Sequence, residues 1–431
     1  MNKNLQDKVE LAHNAFLEWR KVPFEERQKY ISKAATLIKE RAEDYGKIIT
    51  TEMHKPISQS IAEVEKCGLM MDYYAKAENV LRVEKIESEL SISEIHFVPK
   101  GVILGVMPWN FPFWQVLRFA IPAILAGNTA LLKHASICFG SGNAIEQLLL
   151  DSGFPKGIFQ NLEIGHNEVK EVLAHKAVQG VSLTGSEKAG ADVASQAGKL
   201  IKKSLLELGG SDAFIVLDDA DLDKAANVGA LARLQNCGQT CVAAKRFIIE
   251  KSVERAFLPK FIEEYQKFKI GDPFDKATKL SGMSRADLAD ELEVQYKKAL
   301  DHGAEVILPL KRISKTGFEP GLIQVQEGNP ILQEELFGPL GMVMIANNDQ
   351  HALELANDIP FGLSNAVWTS SKSRQQFFIE GLDSGTVNIN RMTSSDPRFP
   401  FGGTKTSGYG TELSLHALKE FVTAKTIVGN A

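Results

Sequence analysis

Cysteine is scarce in this chain: four residues in 431, at positions 67, 138, 237 and 241. They are too few and too scattered for a disulfide framework, and they fit free thiols in a reducing cytosol. No apolar run of about 18 residues occurs, so no membrane span is expected. The nearest candidate, 116–132, is interrupted by Arg118, Pro122, Gly127 and Asn128. The opening MNKNLQDKVELAHNAF is polar and then amphipathic, without the apolar centre of a signal peptide. Basic charge is not in surplus: 49 Lys and Arg against 54 Asp and Glu give a net −5, which offers nucleic acid no footprint. No His stands near Cys237 and Cys241, so no zinc site is expected there. Internal repeats and low-complexity linkers are also lacking. What remains is an ordinary soluble balance, 44% hydrophobic and 24% charged, in a chain long enough for two or three domains.

Apolar spacing of three and four predicts helices over 3–19, 23–43 and 57–81. Residues 91–98, SISEIHFV, alternate and then meet Pro99, which predicts a partly exposed strand. From Gly101 short apolar strands alternate with helices: strands at 102–107, 129–133, 178–183 and 202–207, helices at 113–125, 142–150 and 188–197. That alternation predicts an open parallel sheet of the nucleotide-binding kind. After Gly209-Gly210 a second α/β series follows, with strands at 213–216, 246–249, 322–325, 341–345, 366–369 and 386–389 and helices at 222–234, 253–268 and 286–301. The segment 421–428 reads as an extended tail.

Several short motifs carry chemistry. Cys241 closes the turn Asn236-Cys237-Gly238-Gln239-Thr240, where backbone N–H groups could stabilise charge formed when sulfur attacks a carbonyl. Pro108-Trp109-Asn110-Phe111-Pro112 is a stiff loop after a buried strand and can aim the Asn110 amide at a substrate oxygen. Lys133 ends the next strand, at the sheet edge where nucleotides bind. Thr184-Gly185-Ser186 joins a strand to a helix and offers an anion site at the helix N-terminus. Glu207, before Gly209-Gly210, is a carboxylate suited to general-base work if desolvated. Glu335 could bind ribose hydroxyls while Phe337 packs on a flat ring. Each has an ordinary alternative: a polar loop, a rigid turn, an exposed lysine, an N-cap serine, a surface glutamate, a helix closed by Gly-Pro.

Their order is less ordinary. PWNFP, LLK, TGSxxxG, ELGG, NxGQxC, EExFGP, and then Pro400-Phe401-Gly402-Gly403 with Ser407-Gly408 together resemble the aldehyde dehydrogenase superfamily from about residue 8 onward. The resemblance implies a Rossmann-like cofactor domain from 1–90 and 101–208, an α/β catalytic domain from 209–418, and oligomerisation strands at 91–100 and 419–431. It implies Cys241 as nucleophile, Asn110 with the Cys241 N–H as oxyanion hole, and Glu207 as the base for the deacylating water. Trp109, Lys133, Gly185, Ser186, Glu335 and Phe337 are implied as cofactor contacts. The implied reaction runs through a thiohemiacetal, hydride transfer to nicotinamide and a thioester. CoA-acylating relatives usually lack a Glu at position 207, so water is the expected acyl acceptor. A homodimer or homotetramer is expected.

Finer features resemble bacterial succinate-semialdehyde dehydrogenases. Many NAD-preferring relatives carry a Glu where this chain has Ser136, so NADP is expected to be accepted, with its preference over NAD open. Arg118 matches an Arg that holds the substrate carboxylate, and Ser395 or Arg398 is expected to complete that site. A second Arg found in some such enzymes is replaced here by Gln235, with Arg233 two residues earlier. The leading strands common in the superfamily precede no residue of this chain. A broader dehydrogenase of small hydroxy- or aliphatic aldehydes, and a non-catalytic protein on the same fold, are the alternatives. Cys237 is either a bystander or a disulfide partner for Cys241.

Overall fold

The computed structural model describes residues 1–430, and position 431 of the expected tail segment lies outside them. It is an α/β chain built on two parallel sheets, as the strand–helix alternation requires. The first sheet orders Gly408–Tyr409, Lys203–Glu207, Val178–Thr184, Val102–Met107, Thr129–His134 and Phe159–Asn161. All its neighbours run parallel except the first pair. Strand order reverses on either side of Val102–Met107, which opens a crevice at its carboxyl end. The loop 108–112 leaves from that end.

The second sheet orders Glu305–Leu308, Gly321–Gln324, Leu340–Ala346, Ala244–Glu250, Asp212–Val216, Ser364–Trp368 and Thr386–Ile389, parallel except at the first pair. Both sheets read as continuous apolar runs because helices cover both faces. The third sheet is small and antiparallel: Glu84–Lys85, Ile92–Pro99 and Val422–Gly429.

The helical segment expected over 23–43 is two helices, Phe24–Glu40 and Ala42–Met53, separated at Arg41 (φ −102°, ψ 15°). The second of them was not anticipated, and it stops where His54 turns left-handed at φ 60°. The next helix, Ile57–Ala75, ends short of residue 81. The strand Phe159–Asn161 and the helix His166–Ala174 were also missed, being too short to display a period. After residue 400 the chain returns to the first unit. Phe401, Leu413, Leu418 and Phe421 join its core, and Gly408–Tyr409 pairs with Lys203–Glu207. Among the described residues no helix is long and apolar enough to cross a membrane, and no group of three His, Cys, Asp or Glu could hold a metal.

Candidate active site

The stiff loop after Val102–Met107 is fastened from below. Asn110 is buried, its Nδ2 donates to the Gln239 carbonyl at 3.0 Å, and its own carbonyl accepts from Lys55 Nζ at 3.1 Å and Asn236 Nδ2 at 2.9 Å. Lys55 is fully buried and pairs with Glu63 at 2.5 Å. The other oxygen of Glu63 accepts from the backbone N–H groups of Phe113 (2.9 Å) and Trp114 (3.0 Å), where the buried helix Trp114–Leu125 begins. A carboxylate there satisfies donors the helix leaves open and meets its positive end. Lys55 and Glu63 thus hold both the loop and the helix behind it. Neither was singled out in the sequence, where each resembles a solvated position on a helix flank.

The thiol loop follows the helix Leu222–Leu234 through three left-handed residues, Asn236 (φ 54°), Cys237 (φ 55°) and Gly238 (φ 73°). Gly238 is required: a Cβ there would lie 2.3 Å from the Gly338 carbonyl oxygen. Arg233 is buried and donates to the carbonyls of Leu340 and Leu336, each at 2.9 Å, and of Gly338. It binds the 334–339 turn to the thiol loop, and because it lines neither of the cavities at Cys241 it is not placed as a second carboxylate clamp. Lys245, also buried, donates to the carbonyls of Thr240 (2.8 Å) and Cys241 and pairs with Glu335 at 2.9 Å. Glu335 further accepts from the Gly210 N–H at 3.1 Å.

Cys241 is half-buried, and desolvation pushes its thiol up to about 11 against the opposing pull of Lys245 and Arg118. Cys237 sits in the core of the second sheet, whereas Cys241 packs against the core of the first. Both are free thiols, so the fold gives Cys237 a packing role.

Cys241 lines two cavities, and so does Gln115. One, of about 420 Å³, is bounded by Trp109, Asn110, Gly185, Ser186, Glu335 and Phe337. The Trp109 and Phe337 rings meet edge-on at 5.8 Å. Ser186 caps the helix Glu187–Lys199 through the Ala189 N–H. Lys133 and Ser136 lie outside this cavity on the same sheet edge. Lys133 is buried without a hydrogen bond or ion pair among the described residues, and desolvation lowers its pKa. Ser136 is exposed. A partnerless buried amine at the carboxyl end of one strand and a capped helix N-terminus after another, on either side of Val102–Met107, suit the ribose and phosphates of a dinucleotide.

The second cavity, of about 190 Å³, is lined by Lys66, Trp114, Arg118, Gln235, Ser395 and Phe401 among others. Arg118 is buried, ion-pairs with Glu412, and lies 4.6 Å from the Phe401 ring centre. Its Nη2 is buried with no hydrogen-bond partner. Ser395 accepts from Lys66 Nζ at 2.9 Å. Arg398 does not join them: it pairs with Asp396 and leaves 70% of its side chain exposed. The expectation for Arg398 is therefore corrected, because the turn 396–398 spends its charge locally.

Glu207 lines neither cavity. It is buried, and both its carboxylate oxygens lack hydrogen-bond partners among the described residues. Burial first, and Glu412 second, hold its pKa well above the usual carboxylate range, while Arg118 opposes them. Arg118 stands within electrostatic reach of Glu207, Glu412 and Cys241 alike. Glu412 comes from the returning C-terminal segment, and its distance along the chain concealed it from sequence reasoning. Its place shortly after the Ser407-Gly408 motif was the only signal available. The site thus combines a thiol between two cavities, an anchored amide and two cations lining the smaller cavity, with the buried Glu207 carboxyl within electrostatic reach of Arg118.

A family model described as "Aldehyde dehydrogenase family" matches residues 2–427. The chain is 40% identical to Succinate semialdehyde dehydrogenase [NAD(P)+] Sad of Escherichia coli (strain K12), over 98% of this chain and 93% of that protein. It is 40% identical to Succinate-semialdehyde dehydrogenase [NADP(+)] of Deinococcus radiodurans, over 97% of this chain and 89% of that protein. Among solved structures, succinic semialdehyde dehydrogenase from Streptococcus pyogenes in complex with NADP+ superposes with a TM-score of 0.96 at 37% identity, covering 100% of this chain and 96% of that one.

Proposed function

The chain belongs to the aldehyde dehydrogenase family, and we propose that it oxidises succinate semialdehyde to succinate with NADP+ or NAD+. The observation that carries this reading is Cys241 between a cavity of about 420 Å³ and one of about 190 Å³ lined by Arg118, whose buried Nη2 has no hydrogen-bond partner. Glu412 is the counter-ion of Arg118 on one side, and the Arg118 Nη2 is left to take an oxygen of a second anion. A short half-aldehyde ending in a carboxylate supplies it and brings its carbonyl to the sulfur.

Cys241 attacks the aldehyde carbon as thiolate, and the Asn110 amide with the Cys241 N–H receives the charge on oxygen. Lys133, Gly185, Ser186, Glu335, Phe337 and Trp109 would hold the cofactor. When bound, the nicotinamide supplies the hydride acceptor for the oxidation. Glu207 takes a proton from the water that releases the acyl group from sulfur. The test is initial-rate kinetics with succinate semialdehyde, butanal and glyceraldehyde. The reading expects kcat/KM for the anionic aldehyde to exceed that for butanal by about tenfold or more, the value of one good charge contact. Equal efficiencies would favour a broad aldehyde dehydrogenase instead.

Ser136 leaves room for a 2′-phosphate. Ser136→Glu is expected to lower kcat/KM for NADP by about tenfold or more and to leave that for NAD nearly unchanged, since like charges brought together cost several kcal/mol. Parallel losses with both cofactors would remove Ser136 from the ribose site. The strand Val422–Gly429 keeps one edge unpaired in its sheet, which supports assembly into a homodimer or homotetramer. Sedimentation showing monomer alone would overturn that assignment. The free thiols fit a reducing cytosol.

A further inference from the structure

Lys66 lies on the helix Ile57–Ala75 and lines the same small cavity as Arg118 and Cys241. Its surroundings are unusual for a lysine. It donates to the neutral Ser395 hydroxyl at 2.9 Å and sits 4.2 Å from the centre of the Trp114 ring. Among the described residues it makes no ion pair, although the charges it senses include Glu63 and Asp396. Arg118, the cation beside it, has Glu412 as its own counter-ion. Glu63 also lines the cavity but is paired with Lys55, and Arg118 is paired with Glu412, so Lys66 is the cation there that has no ion pair among the described residues. Burial and the repulsion of Arg118 hold Lys66 down to about 8, so at pH 7 it still carries its proton.

A half-buried ammonium in a small cavity, held by a hydroxyl and an aromatic face and without an ion pair among the described residues, is placed to take the negative charge of a ligand. Gln235 also lines this cavity and contributes no charge. We propose that Lys66, held by Ser395, is the second carboxylate-binding group of the substrate cavity and sets its preference for aldehydes bearing a distal carboxylate. The inference rests on the reading of the substrate as a carboxylate half-aldehyde. It assigns to a lysine from the N-terminal helices the place that a second arginine near the nucleophile would take. Arg118 alone cannot fill both sides of the carboxylate, because part of its guanidinium is turned to Glu412. A compact ammonium on a flexible stem can meet the remaining oxygen at varied chain lengths.

The experiment compares succinate semialdehyde with butanal, its uncharged analogue of equal chain length, at pH 7 in wild type, Lys66→Met and Lys66→Arg. The quantity read is the ratio of kcat/KM values for the two aldehydes, in which any general loss of active protein cancels. Lys66→Met is expected to lower that ratio by about tenfold or more, mostly through KM for the anionic aldehyde, and Lys66→Arg to keep it within about threefold. A ratio in Lys66→Met within about twofold of wild type would overturn the proposal, whatever the absolute rates. Should Lys66→Met fold poorly, Lys66→Gln, one atom shorter than lysine, keeps an N–H donor while removing the charge, and is read in the same way. A wild-type ratio near one would instead overturn the substrate assignment itself, so the two failures are told apart.

Discussion

Glu207→Gln is expected to complete a first turnover and then stall. The amide cannot take a proton from water, so the acyl group formed on Cys241 is not released. Rapid mixing should show a burst of reduced cofactor near one equivalent per site, followed by a steady rate about 10² to 10⁴ below wild type. The environment of Glu207 sharpens this. It is buried, without hydrogen-bond partners, and raised in pKa by desolvation and by Glu412. A base whose pKa is raised reaches its active, deprotonated form at a higher pH than an ordinary carboxylate does. The wild-type steady rate should therefore increase with pH where deacylation limits, and that dependence should vanish in the variant. A variant that loses burst and steady state together would show that Glu207 acts before the acyl group forms.

Cys241→Ala should lose both phases, with kcat down by roughly 10⁴ or more, as for other enzymes deprived of their nucleophile. Binding of NADP, measured by calorimetry, should persist because the cavity walls stay in place. In the cofactor-free wild type, desolvation holds the thiol at about 11. Only the thiolate is alkylated, so iodoacetamide should react slowly at neutral pH and roughly tenfold faster per pH unit below that value. Lys245 and Arg118 pull the other way, and Lys245→Met should slow alkylation at any fixed pH. Rapid alkylation of a residue other than Cys241 in Cys241→Ala would make the assay uninformative for this thiol and point to Cys138, Cys67 or Cys237, all of them buried.

The parts of this site that were legible in the sequence share one property: each is a short run in which local geometry and chemistry coincide. A stiff Pro-bounded loop after a strand, a Gly-Gln turn ending in Cys, and a Gly-Gly break after a Glu all bring their own backbone constraints. The alternation of apolar strands with helices was likewise local and gave both parallel sheets. Short elements such as Phe159–Asn161 escaped because three residues cannot display a period. The helix Ala42–Met53 escaped because Arg41 breaks the backbone without Pro or Gly to announce it.

Charged residues were the least legible. Lys55, Glu63, Lys66 and Glu412 each look like a solvated position when read along the chain. Their burial depends on which helix or returning segment lies against them, and no spacing rule encodes that. The same holds for Arg233 and Arg398: in sequence both are plausible carboxylate binders, yet one is consumed by three carbonyls and the other by a neighbouring Asp396. What the amino-acid order determined by itself is the family and the sheets, because these rest on local backbone restraint and on side-chain pattern. The tertiary structure alone decided which charges are left without a partner. Desolvation and counter-ions arise from segments distant in the chain: they bury Glu207 without a hydrogen-bond partner, set Glu412 against Arg118, and give Lys66 a hydroxyl and an aromatic ring but no ion pair among the described residues.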